Sequence, residues 1–130
     1  MTAAPDVPLL RGVPARGGIY RADRTSPQTL VDAGWRVGEI DSGDPRDLVI
    51  RVGEVLGFPS YYGRNLDALA DCLSDRTGPT ALVWHAWGDA AVRDPRTWSR
   101  LLEVLQEATE RPGPPLALLL ARPWAEVVPG

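Results

Sequence analysis

The chain has 130 residues, a formal net charge of −3 and one cysteine. That length suits one domain with one core, and a lone thiol excludes an internal disulfide and agrees with a reducing, cytoplasmic setting. All 14 basic residues are arginines, yet the acidic balance argues against nucleic acid as a direct partner, because phosphate contacts need a basic face.

Residues 1–18 are rich in Pro, Gly and Ala without a period, which predicts a flexible or loosely packed arm. No charged stretch followed by a long apolar one opens the chain, so no secretory signal is expected, and no apolar run approaches the length of a membrane span. Ile19-Tyr20-Arg21 can form a short strand. Ser26 to Ala33 reads as a helix with Pro27 in its first turn and Gly34 as its stop. Trp35 to Ile40 reads as a strand. Asp44-Pro45 is a capping residue followed by proline at the first helical position, opening a helix to Leu56 that Gly57 ends. Its apolar residues Leu48, Val49, Val52, Val55 and Leu56 recur at helical spacing. Phe58 to Gly63 is a turn, and Asn65 caps a second helix to about Ser74. Thr80 to Trp84 is a buried strand bounded by Gly78-Pro79. Asp94-Pro95 repeats the capping pair and opens the longest helix, to about Glu110, with Trp98, Leu101, Leu102, Leu105 and Ala108 on one face. A proline-rich break precedes Leu116 to Leu120, a fully apolar strand. Residues 122–130 read as a tail or edge segment. The order of elements predicts an α/β domain with a small parallel sheet, and continuous apolar strands suit a sheet covered on both faces.

The helix from Asn65 to Asp75 divides its residues by charge. Leu66, Leu69 and Leu73 share one side, with Ala70 beside them. Asp67, Asp71 and Asp75 form a row on another side, at steps of four, and like charges at that spacing repel by a few tenths of a kcal/mol per pair. Asp67 lies in the first turn, where the helix dipole favours it. Asp71 lies late in the helix, where the dipole does not. On periodicity alone a solvated acidic face is the commoner meaning; the functional meaning is a stripe that awaits a positively charged partner. Tyr61 and Tyr62 stand in the turn just before it. One of the pair is expected to cover the core edge and the other to be a binding anchor, since tyrosine brings contact area at little entropic cost.

The stretch Tyr61-Tyr62-Gly63-Arg64-Asn65-Leu66-Asp67-Ala68-Leu69-Ala70-Asp71-Cys72-Leu73 resembles the signature of the barstar family, the intracellular inhibitors of microbial ribonucleases. Phe58-Pro59, Trp84 at a strand end and Glu107 in the long helix fit the same pattern, and the resemblance runs from about Trp35 to Leu120. It implies a compact α/β fold with a three-stranded parallel sheet, to which Ile19-Tyr20-Arg21 could add a fourth strand. It also implies how the chain works: the acidic helix and the turn before it plug the active site of a guanyl-specific ribonuclease, one to one, without catalysis or cofactor. Asp71 would take the place of a substrate phosphate, Asp67 would meet the enzyme's basic side, and Tyr61 would pack on its catalytic histidine. Gly63, Asn65 and Leu66 would touch its substrate loops, with Ser74 and Asp75 at the helix end and Glu107 as a peripheral acid.

The chain departs from the family pattern at three places. Ala70 stands where a large aromatic is common. The loop Asp75-Arg76-Thr77-Gly78, where a tryptophan-containing contact loop is typical, is shorter and partly basic. Arg111 stands where an additional acid is usual. These changes remove contact area and alter charge at the rim, which keeps open a second reading, a module of the same fold for a different basic toxin or protein.

Catalysis has little support. His85 is the only histidine and Cys72 the only cysteine, with no nucleophile–base spacing, no zinc spacing and no glycine-rich phosphate loop. A small carboxylate enzyme is the third reading, resting on the acid row alone. The expected organisation is an extension over residues 1–30, partly flexible, a barstar-like domain over 31–122 and a tail over 123–130, in a protein that is monomeric when free.

Overall fold

The computed structural model describes residues 8–22, 26–59, 63 and 65–124. Four parallel strands form its sheet in the order β1-β4-β3-β2. They are β1 (Gly18–Arg21), β2 (Arg36–Asp41), β3 (Thr80–His85) and β4 (Leu116–Leu120). β3 and β4 are apolar almost throughout because both lie inside the sheet with both faces covered. The edge strand β2 alternates exposed and buried positions. β2 runs beside β3 from Arg36↔Thr80 to Asp41↔His85, and β3 beside β4 from Thr80↔Leu116. β1 is the fourth strand, in register with β4 from Gly18↔Ala117 to Arg21↔Leu120.

The two sheet faces carry unequal layers. Ile40, Leu82, Trp84, Leu116, Leu118 and Leu120 project into the larger core. Four helices cover it: α2 (Pro45–Leu56), α3 (Leu66–Ser74), α4 (Trp87–Arg93) and α5 (Pro95–Glu110). Smaller residues, Ala81, Val83, Ala117, Leu119 and Ala121, face the other way. There α1 (Pro27–Asp32) supplies Leu30, and Leu10, Ala22 and Trp35 complete the layer. Within residues 8–18, read from the sequence as a flexible or loosely packed arm, Leu10 and Pro14 are buried while most of their neighbours are exposed. The Leu10 N–H donates to the Arg21 carbonyl, and Leu10 and Ile19 are buried.

The helix ends follow local chemistry. The Asp44 carboxylate accepts from the Arg46 N–H, and Pro45 fills the first position of α2. Gly57, at φ 65°, ends that helix in the left-handed conformation that glycine adopts without strain. The Asp94 carboxylate accepts from the Thr97 N–H to open α5, and this hydrogen bond, with Arg46 nearby, holds its carboxyl below the ordinary range. Along α2, Leu48, Val49, Val52 and Leu56 are buried, while Val55, at the margin of the stripe, stays exposed.

α4 has no counterpart in the sequence reading. It begins at Ala86 with φ 66° and no side-chain cap. Its first N–H groups, of Gly88 and Asp89, donate instead to the Pro123 carbonyl. A Cβ on Gly88 would stand 2.7 Å from that oxygen, so this close approach requires glycine. α4 also brings Trp87 into a stack on Trp98, ring centroids 5.8 Å apart, with Trp84 tilted against the same ring at 5.3 Å. Trp35, Trp84, Trp87 and Trp98 are buried, whereas Trp124 is exposed.

Candidate protein-recognition face

α3 follows α2 after a short connection and lies in the same layer, packed mainly on α5 and α2. The Asn65 side chain starts it: Oδ1 accepts from the Ala68 N–H at 2.8 Å, while Nδ2 donates toward the Gly63 carbonyl. One side chain thus caps the helix and ties it to the turn. Leu69 and Leu73 are fully buried, and Leu66 packs on the core while remaining half-exposed. Ala70 is also half-exposed.

The other side of α3 is charged and open. Asp67, Asp71 and Asp75 are all exposed. Among the described residues no arginine forms an ion pair with any of them. Their field is felt next door: burial raises the Cys72 thiol above its ordinary value, and Asp75 and then Asp71 push it further. Asp75 occupies the C-cap, and Asp71 lies in the last turns, where the helix dipole disfavours a carboxylate. α5 contributes Glu107, exposed and in the C-terminal half of its helix, again against the dipole. Asn65, Leu66, Asp67, Asp71, Asp75 and Gly63 thus belong to one short segment, and Glu107 is on the helix against which that segment packs. Tyr61, Tyr62 and Arg64 lie outside the described residues.

Ser74 is less available than its exposure suggests. Its Oγ donates to the Ala70 carbonyl at 2.8 Å and accepts from Arg111 Nη1 at 3.0 Å. Arg76, read from the sequence as a rim charge, turns inward. Its Nε donates to the Pro114 carbonyl at 2.7 Å and its Nη1 to the Leu73 carbonyl at 2.8 Å, and burial lowers its pKa. Arg36 donates in the same manner to the Leu56 carbonyl, the last of α2. The only sequence cue to the Arg76 contacts is an arginine just past a helix end, where cations suit the dipole; the acceptor Pro114 is 38 residues away. Between α2 and α3 lies a cavity of ≈ 270 Å³, with Phe58, Pro59, Cys72 and the two carboxylates Asp71 and Asp75 in its wall.

This face can offer carboxylates to a cationic surface. Among the described residues no group of three or more His, Cys, Asp and Glu is placed to hold a metal, and no helix is long and apolar enough to cross a membrane. His85 stands at the far end of β3, with Nε2 3.2 Å from Glu39.

Comparison with known proteins places the same segment in a family. A Bacillus subtilis (strain 168) protein named "Putative ribonuclease inhibitor YrdF" is 45% identical over 56 residues. That match covers 42% of this chain and 62% of the relative's length. The family model described as Barstar (barnase inhibitor) matches residues 40–121, from β2 to the end of β4 and well over half the chain, and the protein belongs to that family.

Proposed function

We propose that the protein inhibits a microbial, guanyl-specific ribonuclease by seating α3 and the preceding Tyr61-Tyr62-Gly63 turn in its active site. The observation that carries this reading is the row Asp67, Asp71 and Asp75, exposed and without a cation partner among the described residues, on a helix whose opposite side is fixed in the core. The family and the name of the relative support the same class of target.

In this reading Asp71 stands in for a substrate phosphate. A carboxylate on a rigid helix loses little entropy on meeting an arginine fork, and the pair is strong once water leaves. Asp67, Asp75 and Glu107 widen the acidic face and speed encounter with a basic cleft. Gly63, Asn65, Leu66 and Ser74 complete the contact. The complex is one to one, forms in the cytoplasm and needs no cofactor or catalysis by this chain, which is monomeric when free. The binding unit lies within residues 31–122.

A second reading, the same fold turned to a different basic toxin, is favoured by one observation. With Ala70 small and Arg76 turned inward, α3 presents less contact area at its C-terminal end than the family pattern provides. Calorimetric titration into a panel of guanyl-specific microbial ribonucleases, with residual RNA cleavage measured in parallel, separates the two. Tight, salt-sensitive, one-to-one binding that stops cleavage supports inhibition; no binding across the panel overturns it in favour of the second reading.

A further inference from the structure

We infer that Arg76 is a positioning residue for partner binding, a fork that clasps the C-terminal end of α3 to the loop after α5 and thereby sets the carboxylates of Asp71 and Asp75. This rests on the inhibitor reading above.

The clasp is reciprocal. From α3, the Arg76 guanidinium reaches two carbonyls, Leu73 behind it and Pro114 across the gap. From the other side, Arg111 reaches Ser74 Oγ, which is itself bonded to the Ala70 carbonyl. The end of α3 is therefore held at Ala70, just before Asp71, and at Leu73 and Ser74, just before Asp75. Glu107 lies one turn before Arg111 on α5, so the same clasp fixes the row relative to that acid.

The charges are placed to permit this without neutralising the row. The C-terminal end of a helix favours cations, and α3 carries carboxylates there instead. Arg76 and Arg111 supply positive charge at that end while spending their donors on backbone carbonyls and a hydroxyl. The carboxylates keep their oxygens free of any partner among the described residues. Only a planar fork spans two acceptors in this way; lysine delivers the same charge from a single point.

The sign of one measurement decides between a fork and a rim charge. Were Arg76 a rim cation on a face that meets a basic enzyme, its removal would strengthen binding. As a positioning residue, its removal weakens binding by roughly tenfold, only a part of what two charge-assisted hydrogen bonds contribute to the fold itself. The experiment titrates the full chain, as wild type, Arg76→Gln, Arg76→Lys, Asp71→Ala and Asp71→Ala/Arg76→Gln, into a guanyl-specific microbial ribonuclease. Amide hydrogen exchange over residues 70–78 is followed in each free protein. The expected result is weaker binding by Arg76→Gln, incomplete rescue by Arg76→Lys, and little further effect of Arg76→Gln once Asp71 is gone. Faster exchange at the end of α3 accompanies it. Binding that is unchanged or tighter in Arg76→Gln overturns the inference, as does an equal loss with and without Asp71. If wild type binds no ribonuclease the inhibitor reading fails, and the exchange decides alone: unaltered protection in Arg76→Gln overturns the clasp, and faster exchange confined to the end of α3 upholds it.

Discussion

α2 and α3 are consecutive helices of one layer, each opened by a side-chain cap, and they treat their acids in opposite ways. In α2, Asp47 pairs with Arg51 at 2.7 Å across one turn, and the capping Asp44 accepts a backbone N–H with Arg93 3.9 Å away. In α3, Asp67, Asp71 and Asp75 have no cation partner among the described residues, although two arginines lie at the end of the same helix. α2 ties Asp44 and Asp47 into its own fold and leaves only Glu54 exposed and unpaired among the described residues, whereas in the proposed reading α3 holds its whole row for another molecule. Arg76 and Arg111 lie beside this row and bond to carbonyls and a hydroxyl instead, which is the arrangement the proposed binding role requires.

The contrast can be sharpened by substitutions on each side of it. The largest effect belongs to the buried side of α3. Leu69→Ala empties a fully buried position and should lower unfolding stability by about 2–5 kcal/mol, read from denaturant midpoints. Asn65→Ala removes the cap that joins helix and turn, and should cost about 1 kcal/mol in the same assay while also weakening partner binding. Asp67→Ala should lower stability by about 0.3–1 kcal/mol, because this acid alone in the row sits at the favoured end of the dipole. The smallest effect is expected from Arg51→Ala in α2, about 0.3–0.5 kcal/mol for an exposed pair one turn apart, fading with salt and leaving binding untouched. A binding loss in Arg51→Ala as large as that in Asp67→Ala would erase the distinction between the helices.

What the sequence disclosed tracks how local each determinant is. The bounds of α2, α3 and α5 were legible because Asp44-Pro45, Gly57, Asn65 and Asp94-Pro95 act within a few residues of themselves. β3 and β4 were legible because burial on both faces leaves an uninterrupted apolar run. α4 was not, since the oxygen that satisfies its first N–H groups belongs to Pro123. The packing of Leu10 was hidden in a stretch whose composition suggests looseness, because it depends on pairing with Arg21. In the site, the acid row and its capping Asn65 could be placed from spacing and motif. The destination of Arg76 could not: a guanidinium in a short loop past a helix end reads as a rim charge, until Pro114, 38 residues on, is known to lie within its reach.

The central claim is that Asp71 serves binding and not folding. Its most direct test compares Asp71→Ala with wild type in two numbers from the same preparation, the affinity for an inhibited ribonuclease by titration calorimetry and the unfolding stability by denaturant. The account predicts an affinity loss of about 2–5 kcal/mol, as for truncation of one partner in a buried charge pair, with stability unchanged or raised by a few tenths of a kcal/mol as repulsion along the row is relieved. A folded Asp71→Ala protein that binds and inhibits as wild type does, or one whose stability falls as far as its affinity, would contradict it.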